Sequence, residues 1–392
     1  MSSPPKIRVG LVGLSASALV AWAEQGHLAY LLSTRGRSHY SIVALLNSSV
    51  SAAEAARSHF KLPSSVRCYG DPNALAKDEE VNLVVVNTRV DVHYRTVEPS
   101  LRAGKSVYIE WPLVENLERA EELLQGKTYP DSIIGLQGRV SPITLRVKEI
   151  LASGTVGKVL SSKVEAYGNL LRRDSFPDAV AYFGDRKVGG HQINIAFGHL
   201  LDYVHHTLGE FKEFDSRMQI QRPVKEVLDR DGNVVRTIEV NVPDFLSLHG
   251  TLAPGQINIA DGAILAFTFI HGQQFKGEPG LTWSINCENA ELRITAPGPY
   301  LMSDSYDGPI NIRLFDYATD EVKDLGWDWQ DWQKELPMRT RIVAEVYERY
   351  AEWIENGKPD KVEEGRDWPR LADAMVRMKE FDQLYKQFDP EW

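Results

Sequence analysis

Apolar residues in the first third of the chain come in unbroken runs rather than in alternation with polar ones. IRVGLVGL begins at residue 7, SIVALLN covers 41–47, VNLVVVNT covers 81–88 and KSVYIEW covers 105–111. Runs of this length and content predict strands buried on both faces. Helical stretches lie between them: one reaching about Ser33, SAAEAARSHF over 51–60, and VHYRTVEPSLRAG with Gly104 as its stop. Strands and helices in alternation predict a doubly wound, parallel α/β sheet. Ligands bind beyond the carboxyl ends of such strands, where Gly13, Asn47, Asn87 and Trp111 stand.

After ENLERAEELLQ (115–125) the pattern changes. SIIGLQGRVSP (132–142) leads into the helix TLRVKEILASG, closed by Gly154, and KVLSSKVEAYG opens a β-rich region that reaches about Leu325. DRDGNVV (229–235) reads as a hairpin turning at Asp231-Gly232. AILAFTFI, LTWSINC and AELRITA are further strands, and short connections predict an open antiparallel or mixed sheet in an α+β domain. The last segments, TRIVAEVYERYAEWIENG and WPRLADAMVRMKEFDQLYKQF, carry apolar residues at helical spacing. The expected organisation is a nucleotide domain over 1–128 and a substrate and oligomerisation domain over 129–392, with the terminal helices packed back on the first.

Composition narrows the classes. A chain of 392 residues with 43% hydrophobic and 25% charged residues builds more than one globular core. A net charge of −10 without clustered Lys and Arg speaks against a nucleic-acid partner. Two cysteines, Cys68 and Cys287, make no disulfide framework and no metal spacing, which fits packed thiols in a cytoplasmic protein without a metal. Lys6 and Arg8 ahead of VGLVGLSASALVAWA have the look of a signal peptide, yet the second strand-turn-helix of the same kind argues for a buried strand. No run reaches the length of a membrane span.

The turn after the first strand is a degenerate phosphate motif. The G-x-G-x-x-G pattern falls on Gly13, Leu14, Ser15, Ala16, Ser17 and Ala18, so one glycine survives. Ser15 and Ala18 are small enough for a pyrophosphate to approach a helix N-terminus, and a purely structural turn explains the motif equally well. The second strand ends Asn47-Ser48-Ser49, with no carboxylate to grip a ribose diol. That tilts the expectation from NAD toward NADP. The acidic run KDEE (77–80) reads as a solvated helix end, and GWDWQDWQKE (326–335) as a loop packed over the sheet or a partner-binding edge.

VNLVVVNTRVDVHYRTVEPSLRAGKSVYIEWPL resembles the third- and fourth-strand region of the glucose-fructose oxidoreductase, inositol dehydrogenase and MocA family. GLQGRVSPITLRVKEILASGTVGKV, IAFGHLLDYV and VPDFL resemble its fungal branch related to the galactose repressor of yeasts. The resemblance implies an N-terminal Rossmann domain, an open-sheet second domain that mediates homo-oligomers, and a nicotinamide cofactor held by Gly13, Leu14, Ser15, Ala16, Asn47, Ser48, Asn87, Thr88, His93, Glu110, Trp111 and Pro112. It also implies a catalytic set of Lys, Asp and His. Glu110 and Pro112 match the family's Glu-Lys-Pro, but Trp111 replaces the lysine. In GGHQINIAFGHLLD (189–202) His199 matches the histidine, with Asp202 one helical turn later. Ile195 replaces the aspartate, and Gly198 sits one position late.

Tryptophan cannot move the proton that a lysine moves, since its indole N–H only donates. It can stack on a flat ring. His199 is then the proton donor with Asp202 to orient it, or else a core histidine bonded to a carbonyl. His191 and Tyr182 are candidates to replace the lost groups, while His205 and His206 read as surface residues. Arg139 binds either a substrate carboxylate or carbonyl, or an interdomain acid. The expected activity is NAD(P)-dependent hydride transfer on a carbonyl, imine or alcohol carbon of a small aromatic or secondary-metabolite substrate. The alternative is a catalytically silent, dinucleotide-bound transcriptional regulator.

Overall fold

The computed structural model describes residues 6–17, 21–255, 257–363 and 365–391. The chain forms two compact units, Met1–Gln137 with Gln330–Met378, and Gly138–Trp329 with Lys379–Trp392. Among the described residues no helix is long and apolar enough to cross a membrane.

In the first unit, β1 (Ile7–Val12), β2 (Tyr40–Leu46), β3 (Arg67–Tyr69), β4 (Leu83–Val86), β5 (Ser106–Glu110) and β6 (Ile133–Gly135) form one sheet ordered β3-β2-β1-β4-β5-β6. Every pairing is parallel. This is the Rossmann order, with the strand sequence reversing at β1 and β4. Each of Leu83, Val84, Val85 and Val86 is 0% exposed, which is why the run shows no polar alternation. Helix Val50–His59 starts where the Ser49 hydroxyl accepts from the Ala52 N–H at 3.1 Å. Helix His93–Arg102 stops before Gly104, which takes φ +74°.

The helix expected to run from the first turn to Ser33 is broken up. The described helical residues begin at Trp22, continue as a π-helical segment Ala23–Leu28 and a turn of α-helix Ala29–Leu32, and break at Ser33. Ser33 is extended, and its hydroxyl caps a new helix, Thr34–His39, by accepting from the Gly36 N–H at 2.9 Å. Helix Met338–Glu355 packs on this segment: Thr340 donates to the Gln25 carbonyl at 2.6 Å, and Tyr347 stacks on Tyr30 at 5.3 Å. KDEE is not simply solvated. Asp78 accepts from Arg67 at 2.7 Å and from Tyr69 at 2.9 Å, because a short acid beside a β-strand finds donors that water would otherwise supply.

The second unit adds β7 (Val159–Gly168), β8 (Ser175–Pro177), β9 (Phe211–Gln219), β10 (Val224–Leu228), β11 (Val234–Glu239), β12 (Phe245–Leu252), β13 (Ile259–His271), β14 (Leu281–Cys287), β15 (Ala290–Ala296), β16 (Asn311–Asp316) and β17 (Glu321–Leu325). The main sheet is ordered β17-β16-β15-β14-β7-β13-β12-β9, and β13 with β7 is its parallel pair. A second sheet, β11-β10-β8, holds the expected hairpin, with Gly232 at φ +85°. Strands β14 and β15 bury every second residue, so one face is core. On that face Phe267 and Trp283 meet Phe197 and Tyr203 at 5.6 and 6.1 Å between ring centroids. Trp327 and Trp329 pack around Tyr306 rather than forming a free edge.

Candidate active site

The carboxyl edge of the first sheet is built around Gly13. Its φ of +86° is open to glycine alone at low cost, and a Cβ there would lie 2.9 Å from the Asn87 carbonyl. The ends of β1 and β4 therefore approach each other directly. Leu14 is fully buried, and its carbonyl accepts from the Asn47 side chain at 2.8 Å. Asn47 thus braces the turn. Ser15 accepts from the Ser17 N–H at 3.3 Å, while Ala16 and Ser48 are exposed, and Ala18 lies outside the described residues. Both polar side-chain atoms of Asn87 and the hydroxyl of Thr88 are buried with no hydrogen-bond partner among the described residues. Orphans of this kind cost roughly 1–3 kcal/mol each unless a ligand satisfies them. Three of them at the edge where a dinucleotide lies, beside a glycine that a Cβ would close, fit a nicotinamide dinucleotide.

His93 and the Glu-Trp-Pro segment form the other half of this edge. The buried His93 ring bridges two strand ends, with Nδ1 3.0 Å from the Pro112 carbonyl and Nε2 2.8 Å from that of Thr88. Burial lowers its pKa below the ordinary 6.5, outweighing the carbonyls that favour the charged form. It clasps the backbone on which Asn87, Thr88 and Trp111 are carried. Trp111 is 5% exposed, and its bond to Pro112 is cis.

Glu110 closes β5 inside a network that spacing does not reveal. One carboxylate oxygen accepts from His27 Nε2 at 2.9 Å, and Gln137 Nε2 lies 2.9 Å from both oxygens. His27 Nδ1 is 2.8 Å from the Tyr347 hydroxyl. His27, Gln137 and Tyr347 are each fully buried. Burial by itself would raise the Glu110 pKa, but the His27 hydrogen bond and charge, with Gln137, hold it below its ordinary 4.5. Room for the carboxylate comes from Gly135 on β6, where a Cβ would meet its Oε2 at 2.5 Å.

In the second unit a π-helical segment, Ile193–Phe197, carries Ile195 and runs into helix Gly198–Leu208, which carries His199 and Asp202. π-helical segments recur at functional sites. His199 is 7% and Asp202 1% exposed. Arg139 grips Asp202 with two parallel bonds, Nε at 2.8 Å and a terminal nitrogen at 2.6 Å. The acid expected to orient His199 is thus held by a guanidinium of the same unit.

The spare histidines are placed differently from expectation. His191 is fully buried, and burial with the Arg186 charge pushes its pKa down to about 3, so it stays neutral. Tyr182 is half-buried against Phe183. His205 is not at the surface. Its Nδ1 bonds the Gly209 carbonyl at 2.7 Å and its Nε2 bonds Glu380 at 3.1 Å, because a helix end turned into the core needs its carbonyls satisfied. His206 lies 3.0 Å from the Lys148 amine.

Comparisons with known proteins agree with this architecture. Residues 7–128 match the profile of the oxidoreductase family with an NAD-binding Rossmann fold, and residues 142–296 that of the Gal80p C-terminal domain. The dehydrogenase aclE of Aspergillus oryzae is 30% identical over 383 residues, covering 96% of this chain and 97% of that protein. The galactose/lactose metabolism regulatory protein GAL80 of Kluyveromyces lactis is 27% identical over 270 residues, 66% of this chain and 58% of its own. In fold, a super-repressor mutant of Gal80p from Saccharomyces cerevisiae superposes with a TM-score of 0.82 at 23% identity, covering 98% and 96% of the two chains. Levoglucosan dehydrogenase in complex with NADH and L-sorbose gives 0.74 at 14%, covering 98% and 97%. With the dehydrogenase match running nearly end to end, the chain belongs to the glucose-fructose oxidoreductase, inositol dehydrogenase and MocA family of oxidoreductases with an NAD-binding Rossmann fold.

Proposed function

We propose that the protein is an NAD(P)-dependent oxidoreductase acting on a carbonyl, imine or alcohol carbon of a small aromatic or secondary-metabolite substrate. The observation that carries this reading is the edge at Gly13, where Asn87 and Thr88 present buried, unsatisfied polar atoms. The nicotinamide cofactor, when bound, exchanges a hydride with the substrate carbon. Asn87 and Thr88 hold its polar groups, and Gly13 lets it approach the backbone. Trp111 offers an apolar wall against a flat ring and helps exclude water. His199 handles the proton at the substrate heteroatom, while the Arg139–Asp202 pair fixes the helix that carries it. NADP is the favoured form, because no carboxylate closes β2. The protein works as a homo-oligomer without nucleic acid or membrane partners.

The test is calorimetric titration with NADP and NAD, followed by turnover of a panel of ketones, imines and alcohols. Micromolar binding, with turnover lost in His199→Gln, supports the proposal. Absence of binding by either dinucleotide overturns it. The second reading, a silent dinucleotide-bound regulator, draws support from the Gal80p-type second domain and from Trp111 in place of a proton-transferring lysine. Tight dinucleotide binding without turnover across the panel favours it.

A further inference from the structure

The main sheet of the second unit ends in two unlike edges. At one edge, β17 is five residues long and carries Lys323 at its centre, a usual guard against the addition of a further strand. At the other, β9 runs for nine residues without a proline, and its pairing with β12 keeps one register from Glu213 to Gln219. A long regular edge presents a row of backbone groups that another strand can use.

Alternation along β9 shows which groups those are. A Cβ on Gly250 of β12 would run into the Glu213 carbonyl, and the Gln219 carbonyl accepts from the Asp244 N–H at 3.0 Å. Odd-numbered residues are thus turned toward β12, and Phe214, Ser216 and Met218 are turned outward. The Phe214 carbonyl accepts from the Gln387 amide at 3.3 Å, and the Ser216 carbonyl from the Arg217 guanidinium at 3.4 Å. Both bonds are longer than an ordinary N–H···O bond, so side chains hold these positions weakly.

We propose that β9 pairs antiparallel with β9 of a second copy of this chain, about a two-fold axis through Ser216. Such an axis stands normal to the sheet and keeps like faces together, so each candidate register is centred on one residue. Centred on Ser216, the exposed Asp215 lies opposite the exposed Arg217 of the second copy, twice over. Glu213 lies opposite Gln219, and on the other face the half-buried Phe214 lies opposite Met218, a ring against a thioether. Neighbouring registers lose this match. Centred on Asp215 or Arg217, two like charges meet on the axis, and centred on Phe214, Glu213 meets Asp215. Centred on Met218, no opposite charges meet. The inference goes beyond the cofactor reading and names an interface for the homo-oligomer proposed with it.

Sedimentation velocity over a range of protein concentration tests this on the wild type, Asp215→Arg, Arg217→Asp and the double variant, with thermal unfolding to confirm that each folds. Either single change sets like charges opposite each other at two symmetric places and is expected to weaken self-association about tenfold or more. An equal mixture of the two single variants restores attraction at both places, and so does the double variant, so both are expected to associate as the wild type does. If the wild type associates and the single variants match it, the edge is overturned and the homo-oligomer stands on another surface. If the single variants lose association and neither the mixture nor the double variant regains it, the register through Ser216 is overturned. A wild type that stays monomeric at every concentration overturns this interface and the homo-oligomer together, and leaves the cofactor reading untouched.

Discussion

Glu110 and Asp202 are both carboxylates withdrawn from water, one ending a parallel strand and one inside a helix, yet they are satisfied by opposite means. Asp202 meets a guanidinium in a two-bond fork, so its charge is cancelled where it stands. Glu110 meets the His27 imidazole and the Gln137 amide, a hydrogen-bonded network in place of a guanidinium. The first arrangement fixes a helix. The second ties the end of β5 to three remote segments of the same unit through His27, Tyr347 and Gln137.

The comparison breaks most visibly at Asp202. Asp202→Asn removes the charge that the half-buried Arg139 guanidinium grips in its two-bond fork and is expected to cost about 3 kcal/mol, read as a lowered denaturant midpoint. Arg139→Gln combined with Asp202→Asn is expected to recover part of that loss. Acid comes next. His191 and His271 have folded pKa values of about 3, below the ordinary 6.5, chiefly because burial disfavours the charged form. Their contribution to stability is complete above pH 6.5 and is lost as pH falls toward 3, at about 1.4 kcal/mol per pH unit for each. Denaturation midpoints between pH 7 and 5 should fall on that slope, and His191→Gln should flatten it.

Smaller effects sharpen the Glu110 side. Gly135→Ala pushes a methyl group against the carboxylate and is expected to cost about 1–3 kcal/mol in thermal stability. Glu110→Gln is expected to cost about 1 kcal/mol or less. The Gln137 carbonyl oxygen has no partner among the described residues, so its amide can flip and accept from the new side chain. A large loss of stability in that variant would mean the charge itself holds the network together.

The sequence made the first sheet legible because a strand buried on both faces needs an unbroken apolar run, as Leu83–Val86 shows. Glycine stops at Gly104 and Gly154 and the turn at Gly232 were legible for a similar local reason, since each takes a positive φ. The order of the second sheet was not legible. Strand β7 lies between β13 and β14, so its neighbours come from more than a hundred residues downstream, and no local pattern encodes that choice. The site divides the same way. Gly13, Asn87 and Trp111 sit at strand ends that periodicity locates. Tyr347 and Gln137, which hold His27 and Glu110, come from remote segments and carry no spacing signal. Two adjacent histidines near a helix end look hydrophilic and predict surface positions, whereas the fold turns His205 inward to a carbonyl and an acid.

Position 135 bears no side chain, and the outer oxygen of Glu110 occupies the volume a methyl group would need. A methyl on the sixth strand and an acid on the fifth are therefore rival tenants of one space. Descent away from a charged edge can run in only one easy order, acid first and glycine second. Once the second change is made it works as a ratchet, because a returning carboxylate meets a methyl group at a cost of about 1–3 kcal/mol.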